Sequence, residues 1–182
     1  GGYHFPAPAR PFGKDPVSTS IKADMVVIGA GSGGLSVAAG AAQLGLKIVL
    51  FEKGEMGGDC LNYGCVPSKA LIAAATAAHE MRTSKPLGVR ASEVAIDFGE
   101  VMAHVRTAIA TIAPHDSQDR FEGLGVQVGR EAARFIDRRT VVSDSVRVRA
   151  RKIVIATGSR AAVPKIPGLS ETPFLTNETL FE

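Results

Sequence analysis

A chain of 182 residues, 45% hydrophobic and 21% charged, has the composition of one ordinary globular domain, or of one domain with a tail. Trp is absent and aromatic residues make up only 5%, against 20 glycines, so the core must be built from aliphatic side chains and close backbone contacts. The net charge is +3, and the densest basic cluster (Arg147, Arg149, Arg151 and Lys152) has no interleaved aromatics, which reads as a solvated strand face and argues against a nucleic-acid surface.

Residues 1–20 contain several prolines, little periodicity and no continuous apolar core, so they read as a linker or leader rather than a signal peptide. Ordered structure is expected from about Ile21, with a domain over 21–182. Residues 25–46 carry no charged side chain and are long enough to span a bilayer. Six glycines within them fit a strand, a turn and a helix better than a membrane span, and a cytoplasmic location is the resulting expectation.

In chain order, residues 24–28 end in MVVI, a short buried strand. Glycines at 29, 31, 33 and 34 come next, then an Ala-rich helix over 35–44 with Gly45 as its stop. Residues 47–52 form a second strand, which completes a parallel βαβ unit. Residues 66–81 predict another helix, with Pro67 tolerated in its first turn. Asp97 and Glu100 resemble a capping box, and behind them Phe98, Val101, Met102, Val105, Ile109 and Ile112 recur at helical spacing. Pro114 interrupts that helix, and Gly123 ends the further turn or two beyond it. Over 125–148 the runs VQV, ARFI, TVV and VRVR predict a meander, inserted before a buried strand over 152–156. The fold class is α/β: a Rossmann-like central parallel sheet with helices and an inserted β meander.

Residues 29–34 fit G-x-G-x-x-G. In that pattern the first glycine (Gly29) permits the tight turn, the second (Gly31) lets the backbone approach a pyrophosphate, and the last (Gly34) lets helix and strand pack closely. The unpaired N–H groups at the helix start suit phosphates. Glu52 ends the second strand, 18 residues past Gly34, where a carboxylate can accept hydrogen bonds from ribose hydroxyls and repel a 2′-phosphate. These residues do not distinguish NAD from FAD.

The chain's two cysteines, Cys60 and Cys65, lie in GGDCLNYGCVPSK. On a regular helix, positions five apart point roughly 140° away from each other. A disulfide needs Cα atoms within roughly 7 Å. Bringing the two thiols together therefore requires Asn62, Tyr63 and Gly64 to distort the backbone. Cys65 would sit just ahead of a helix, where the dipole favours a thiolate. Lys69, four residues on, projects to the same side. Three readings remain: buried structural thiols, half of a zinc site, or a redox pair beside a flavin. A zinc site needs more ligands, and His79, His104 and His115 are dispersed, so no metal site is expected.

GGDCLNYGCVPSKAL, together with the glycines at 29–34, Glu52 and IVIATGSR at 153–160, closely resembles the pyridine nucleotide-disulfide oxidoreductases, over about residues 21–182. The resemblance implies that the fingerprint binds FAD rather than NAD. Gly29, Gly31 and Gly34 would hold the pyrophosphate and Glu52 the adenosine ribose. Lys53, Gly58, Ala133 (beside the adenine), Thr157 and Gly158 would also meet the cofactor. It further implies that Cys60 is the interchange thiol that meets a disulfide substrate. Cys65 would be the thiol adjacent to the flavin, forming a charge-transfer complex when reduced, with Lys69 near the reactive edge. NAD(P)H would be the co-substrate and a small-molecule or lipoyl disulfide the substrate, in a homodimer. The family members named by the resemblance are dihydrolipoamide dehydrogenase, mercuric reductase and glutathione reductase types.

Two departures stand out. The family's usual Thr before the first cysteine is Asp59 here, and its charge is expected to raise the pKa of Cys60. The sequence also carries no second glycine fingerprint and no counterpart of the family's NAD-binding and dimerisation domains or their His-Glu pair. It therefore reads as the N-terminal FAD-binding portion of a longer enzyme. A nucleotide-binding module with redox-sensing cysteines is the alternative from another class.

Overall fold

A computed structural model describes residues 19–90 and 93–181. The expected linker or leader falls on residues 1–18, outside the described residues, apart from its last two positions: strand β1 runs Thr19–Ile28 and so begins two residues before the expected start. The chain continues through α1 (Ser32–Gln43), β2 (Ile48–Phe51), α2 (Gly58–Asn62), α3 (Cys65–Thr83), α4 (Phe98–Ile112), α5 (Gln118–Gly123), β3 (Gln127–Gly129), β4 (Arg134–Asp137), β5 (Thr140–Val142) and β6 (Val146–Ile155). Short 3-10 turns cover Lys85–Leu87, Ala113–Asp116 and Leu169–Glu171.

The strands form one six-stranded sheet in the order β3-β2-β1-β6-β5-β4. β3, β2, β1 and β6 pair in parallel, whereas β5 pairs antiparallel with both β6 and β4. This is an α/β, Rossmann-like arrangement carrying an antiparallel extension on one edge. The predicted meander needs correcting in two places. VQV supplies β3, which joins the parallel sheet beside β2, and VRVR and the KIVI of KIVIA are one continuous ten-residue strand, β6.

The second difference has its cause in a phase slip. Val148 and Ala150 share a buried cluster with Ile153, not with Val154, so the period-two alternation jumps by one at Arg151-Lys152. β1 slips in step: Ile21 and Ala23 share that cluster with Val26, while its register with β6 stays constant. The alternation alone suggests two strands where the sheet has one.

Elsewhere alternation works as expected. Val26 and Val49 face one side of the sheet, while Val27, Ile48 and Leu50 face the other, where they pack with Leu35, Ala38 and Ala41 of α1 and with Phe121 of α5. Each buried aliphatic side chain of this size contributes about 1.5–3 kcal/mol. α1 starts three residues earlier than its apolar pattern, because Gly33 and Gly34 belong to its first turn. Gly45 terminates it in the left-handed conformation (φ 75°), and its N–H donates to the Ala42 carbonyl at 2.9 Å. Asp97 caps α4 by accepting the Glu100 N–H at 3.1 Å. On α4, Val105 is buried in the middle of the apolar stripe, but Phe98 and Ile112 at its ends are 65% and 39% exposed. Arg147, Arg149 and Arg151 are all exposed, as a solvated strand face requires. No described helix is long and apolar enough to cross a membrane.

Candidate functional site

The parallel strands end together, and the first glycine loop turns off β1 at that edge. Gly29 has φ 106°, and a Cβ there would collide with the Ala156 carbonyl at the end of β6. A Cβ on Gly34 would collide with the Gly29 carbonyl, so this glycine sets how closely α1 approaches the loop. Gly31 differs from both. Its nearest neighbour to an added Cβ is the Gly58 Cα at 3.9 Å, an ordinary contact, and Gly33 has open space around it.

Glu52 directly succeeds β2. Its Oε2 accepts the Ala30 N–H at 2.7 Å, and its Oε1 accepts the Gly54 N–H at 2.7 Å. The carboxylate is thereby held against the glycine loop, with further lone pairs on each oxygen left over. The Glu52 N–H itself donates to the Gly129 carbonyl at 2.9 Å, which ties the end of β2 to the end of β3.

The cysteine segment is attached to this loop by glycines. Gly57 and Gly58 both adopt left-handed angles (φ 84° and 58°). The Gly57 N–H donates to the Ala30 carbonyl at 2.9 Å, and a Cβ on Gly58 would lie 2.7 Å from the Gly31 Cα. On the Gly58 side of this contact only bare backbone fits. α2 then carries Cys60, and Asn62 holds its turn closed by donating to the Met56 and Gly58 carbonyls at 3.1 and 2.9 Å. Helical geometry breaks at Tyr63 and Gly64, and Cys65 opens α3. A Cβ on Gly64 would meet Asp59 Oδ2 at 2.7 Å and the Asp59 carbonyl oxygen at 3.0 Å, so this turn packs closely against Asp59.

The break brings the two thiols together. Both are free, Cys60 half-buried and Cys65 exposed. The Cys60 thiol is pushed above its ordinary pKa, chiefly by its side-chain hydrogen bond to Cys65, next by burial and by the Cys65 charge; the Lys69 ammonium pulls the other way. The raised pKa is as the sequence led us to expect, but the causes are Cys65 and burial, and Asp59 is not among them. Its Oδ1 accepts a hydrogen bond at 2.6 Å from Asn177 Nδ2, 118 residues further along the chain.

The predicted residues fall into two neighbouring groups. Gly29, Glu52, Lys53, Ala133 and Thr157 line one stretch of a groove, alongside Ile28, Phe51 and Glu131. Gly31, Glu52, Lys53, Gly58, Thr157 and Gly158 line its continuation, together with Asp59 and Tyr63. Gly34 is buried behind the loop. Cys60, Cys65 and Lys69 do not line the groove; they stand at its side, beginning one residue beyond Asp59. Among the described residues no group of three or more His, Cys, Asp or Glu side chains is arranged to hold a metal ion.

Four participants escaped the sequence reading. Asn177 reaches Asp59, and Glu178 grips Arg160 with two hydrogen bonds at 3.1 and 2.8 Å, so the segment after β6 folds back onto the groove. Arg130 and Glu131 stand where β3 leads into β4. None carries a local motif; only the folded chain brings them to the site.

Comparison with known proteins agrees with this geometry. A family model described as pyridine nucleotide-disulphide oxidoreductase matches residues 23–180. Mercuric reductase of Streptomyces lividans is 34% identical over 165 residues, covering 87% of this chain and 35% of that protein. Mercuric reductase of Lysinibacillus sphaericus is 30% identical over 159 residues, 87% of this chain and 29% of its own length. Dihydrolipoyl dehydrogenase of Geobacillus stearothermophilus is 38% identical over 145 residues, 78% of this chain and 31% of that protein. The chain thus spans about a third of the length of these curated relatives. With a glycine loop, an anchored acid and a paired-thiol segment on one sheet edge, and a match running nearly end to end, this chain belongs to the pyridine nucleotide-disulphide oxidoreductase family.

Proposed function

We propose that this chain forms the FAD-binding part of a disulfide oxidoreductase of dihydrolipoamide dehydrogenase type, passing electrons between NAD(P)H and a small-molecule or lipoyl disulfide. The observation that carries this reading is the placement of two neighbouring free thiols one residue beyond a nucleotide-type groove, on a segment packed glycine against glycine onto its loop.

The groove fits the cofactor. The bare Gly31 backbone leaves room for a pyrophosphate, which Gly58 and the Thr157-Gly158 turn would flank. Glu52 presents an oriented carboxylate to a ribose, with Lys53 and Ala133 beside the adenosine half. Bound FAD supplies two-electron hydride chemistry that no side chain offers.

The protein's own part is thiol–disulfide exchange. Reducing the Cys60–Cys65 disulfide takes two electrons and two protons and yields two thiols. Cys60, as thiolate, then attacks one sulfur of the substrate disulfide, and the other sulfur leaves with a proton. Cys65 attacks Cys60 in the mixed disulfide, which restores the pair and releases the reduced substrate. In the reduced pair the neighbouring Cys65 and partial burial hold the Cys60 thiol above its ordinary pKa. The Lys69 ammonium favours loss of that proton. A cytoplasmic homodimer is the expected assembly of the whole enzyme.

The similarity to mercuric reductases supports a second reading, in which the paired thiols deliver a soft metal ion for reduction. The experiment is made on the full-length gene product. It should purify yellow, and two-electron reduction should raise a long-wavelength absorption band that Cys65→Ser abolishes. Turnover of dihydrolipoamide with NAD supports the first reading, and mercuric-ion-dependent NADPH oxidation the second. A spectrum indifferent to Cys65→Ser would defeat both and leave a nucleotide-binding redox sensor.

A further inference from the structure

The connector between β3 and β4, residues 130–133, forms one wall of the groove through Glu131, Ala132 and Ala133. It has no regular secondary structure of its own, so no ladder of backbone bonds fixes its position. Two adjacent side chains do so instead. Arg130 reaches across 76 residues of sequence, and its Nη2 donates to the Gly54 carbonyl at 2.6 Å. Glu131 points the other way, to the turn between β5 and β6. Its Oε1 accepts the Ser145 hydroxyl at 2.7 Å and its Oε2 the Ser145 N–H at 3.1 Å, and the nearby Ser143 hydroxyl helps to keep the carboxylate charged. Ser143 is itself buried, one of two buried polar side chains in the described core.

The Arg130 contact leads further. Gly54, whose carbonyl Arg130 holds, is the residue whose N–H donates to Glu52 Oε1, and Glu52 Oε2 takes the Ala30 N–H of the glycine loop. Arg130, the Gly54 residue, Glu52 and Ala30 therefore form one chain of hydrogen bonds that links the 130–133 connector to the glycine loop through Glu52 in the groove. We propose that Arg130 and Glu131 are positioning residues for the nucleotide, pinning the 130–133 wall on both sides, and that Arg130 acts through Gly54 to orient the Glu52 carboxylate. The inference rests on the nucleotide reading of the groove and deepens it. A group that orients Glu52 and the Ala133 wall acts on the adenosine half, so its loss should be felt equally by a ligand that lacks the flavin.

The test uses the apo form of the full-length gene product, titrated calorimetrically with FAD and separately with ADP. Arg130→Ala and Glu131→Gln are each expected to weaken both ligands alike, by about fivefold or more, the range for losing one or two hydrogen bonds. Arg130→Lys should recover part of the loss, since a lysine retains one donor. Removing the Glu131 partner, with Ser145→Ala, gives a second route to the same loss should the Gln variant fold poorly. If Glu131 were only a surface charge that repels phosphates, Glu131→Gln would tighten binding, and that outcome overturns the proposal. So do affinities within about twofold of the parent in all variants, or a loss for FAD with ADP unaffected. A parent protein that binds neither FAD nor ADP would remove the nucleotide reading itself, and the inference with it.

Discussion

Cys60 and Cys65 illustrate how far single residues decide this site. Five positions apart on an unbroken helix they would diverge; the break at Tyr63 and Gly64 makes them partners. Cys65 is the main cause of the raised Cys60 pKa, while the Asp59 carboxylate, turned toward Asn177, is not among the causes. Two substitutions separate these effects. Cys65→Ala removes both the hydrogen bond and the Cys65 charge, so Cys60 should ionise at lower pH, and its alkylation by iodoacetamide should reach half-maximal rate at a correspondingly lower pH. Asp59→Asn should leave that profile in place. A shift with Asp59→Asn and none with Cys65→Ala would reverse the assignment of causes. In the parent the sign is fixed: a raised thiol pKa means that Cys60 becomes a better nucleophile as pH climbs above the ordinary thiol range.

At the scale of elements, the glycines divide by what each serves, and substitution should expose the division. Gly34 faces the Gly29 carbonyl with no room for a methyl group, so Gly34→Ala must push α1 off the loop, at a cost of about 3 kcal/mol or more. Thermal or denaturant unfolding of that variant would register the loss directly. Gly31→Ala meets only an ordinary contact within the protein, so its melting temperature should stay close to the parent's. Its methyl group would instead occupy the space left for a pyrophosphate, and FAD affinity should fall about tenfold or more, equivalent to ~1.4 kcal/mol. A Gly31→Ala protein that melts early yet binds normally would contradict this division of labour.

Much at this scale is legible in the sequence, and the reason is locality. The Gly29–Gly34 spacing, the Gly45 stop and the Asp97 cap are each specified within a few residues. Partners are different, because period-two alternation identifies a strand without naming its neighbour. So VQV reads as part of a meander, yet it pairs in parallel with β2. VRVR and KIVIA read as two strands because their alternation slips in register with β1. The contacts of Arg130 with Gly54 and of Asn177 with Asp59 span 76 and 118 residues, and no local rule reaches that far.

Considered as a whole molecule, the described residues place one glycine fingerprint and one groove at the end of a single sheet. Hydride delivery from a nicotinamide needs a second nucleotide site facing the flavin, and nothing in the 182-residue sequence repeats the first. On the proposed reading, the adenosine half of FAD would have its wall in residues 130–133 and its acid in Glu52. The region beside the thiols is open by comparison: Cys65 and Lys69 are exposed, and no described element covers them. A flavin ring held there would gain little burial, and affinity would rest on the adenosine and pyrophosphate halves alone. If the chain is the FAD-binding part of a longer enzyme, as proposed, the 182-residue polypeptide expressed by itself is expected to bind FAD more weakly than that enzyme, by about tenfold or more. When it is loaded with excess FAD, an anaerobic stopped-flow mix with NADH should leave the flavin absorbance unbleached over seconds. Dithionite should bleach the same sample at once, which shows that the bound flavin is reducible and only the nicotinamide route is missing. Rapid bleaching by NADH would show that hydride transfer needs no second nucleotide domain, and would place both nucleotides in the one groove.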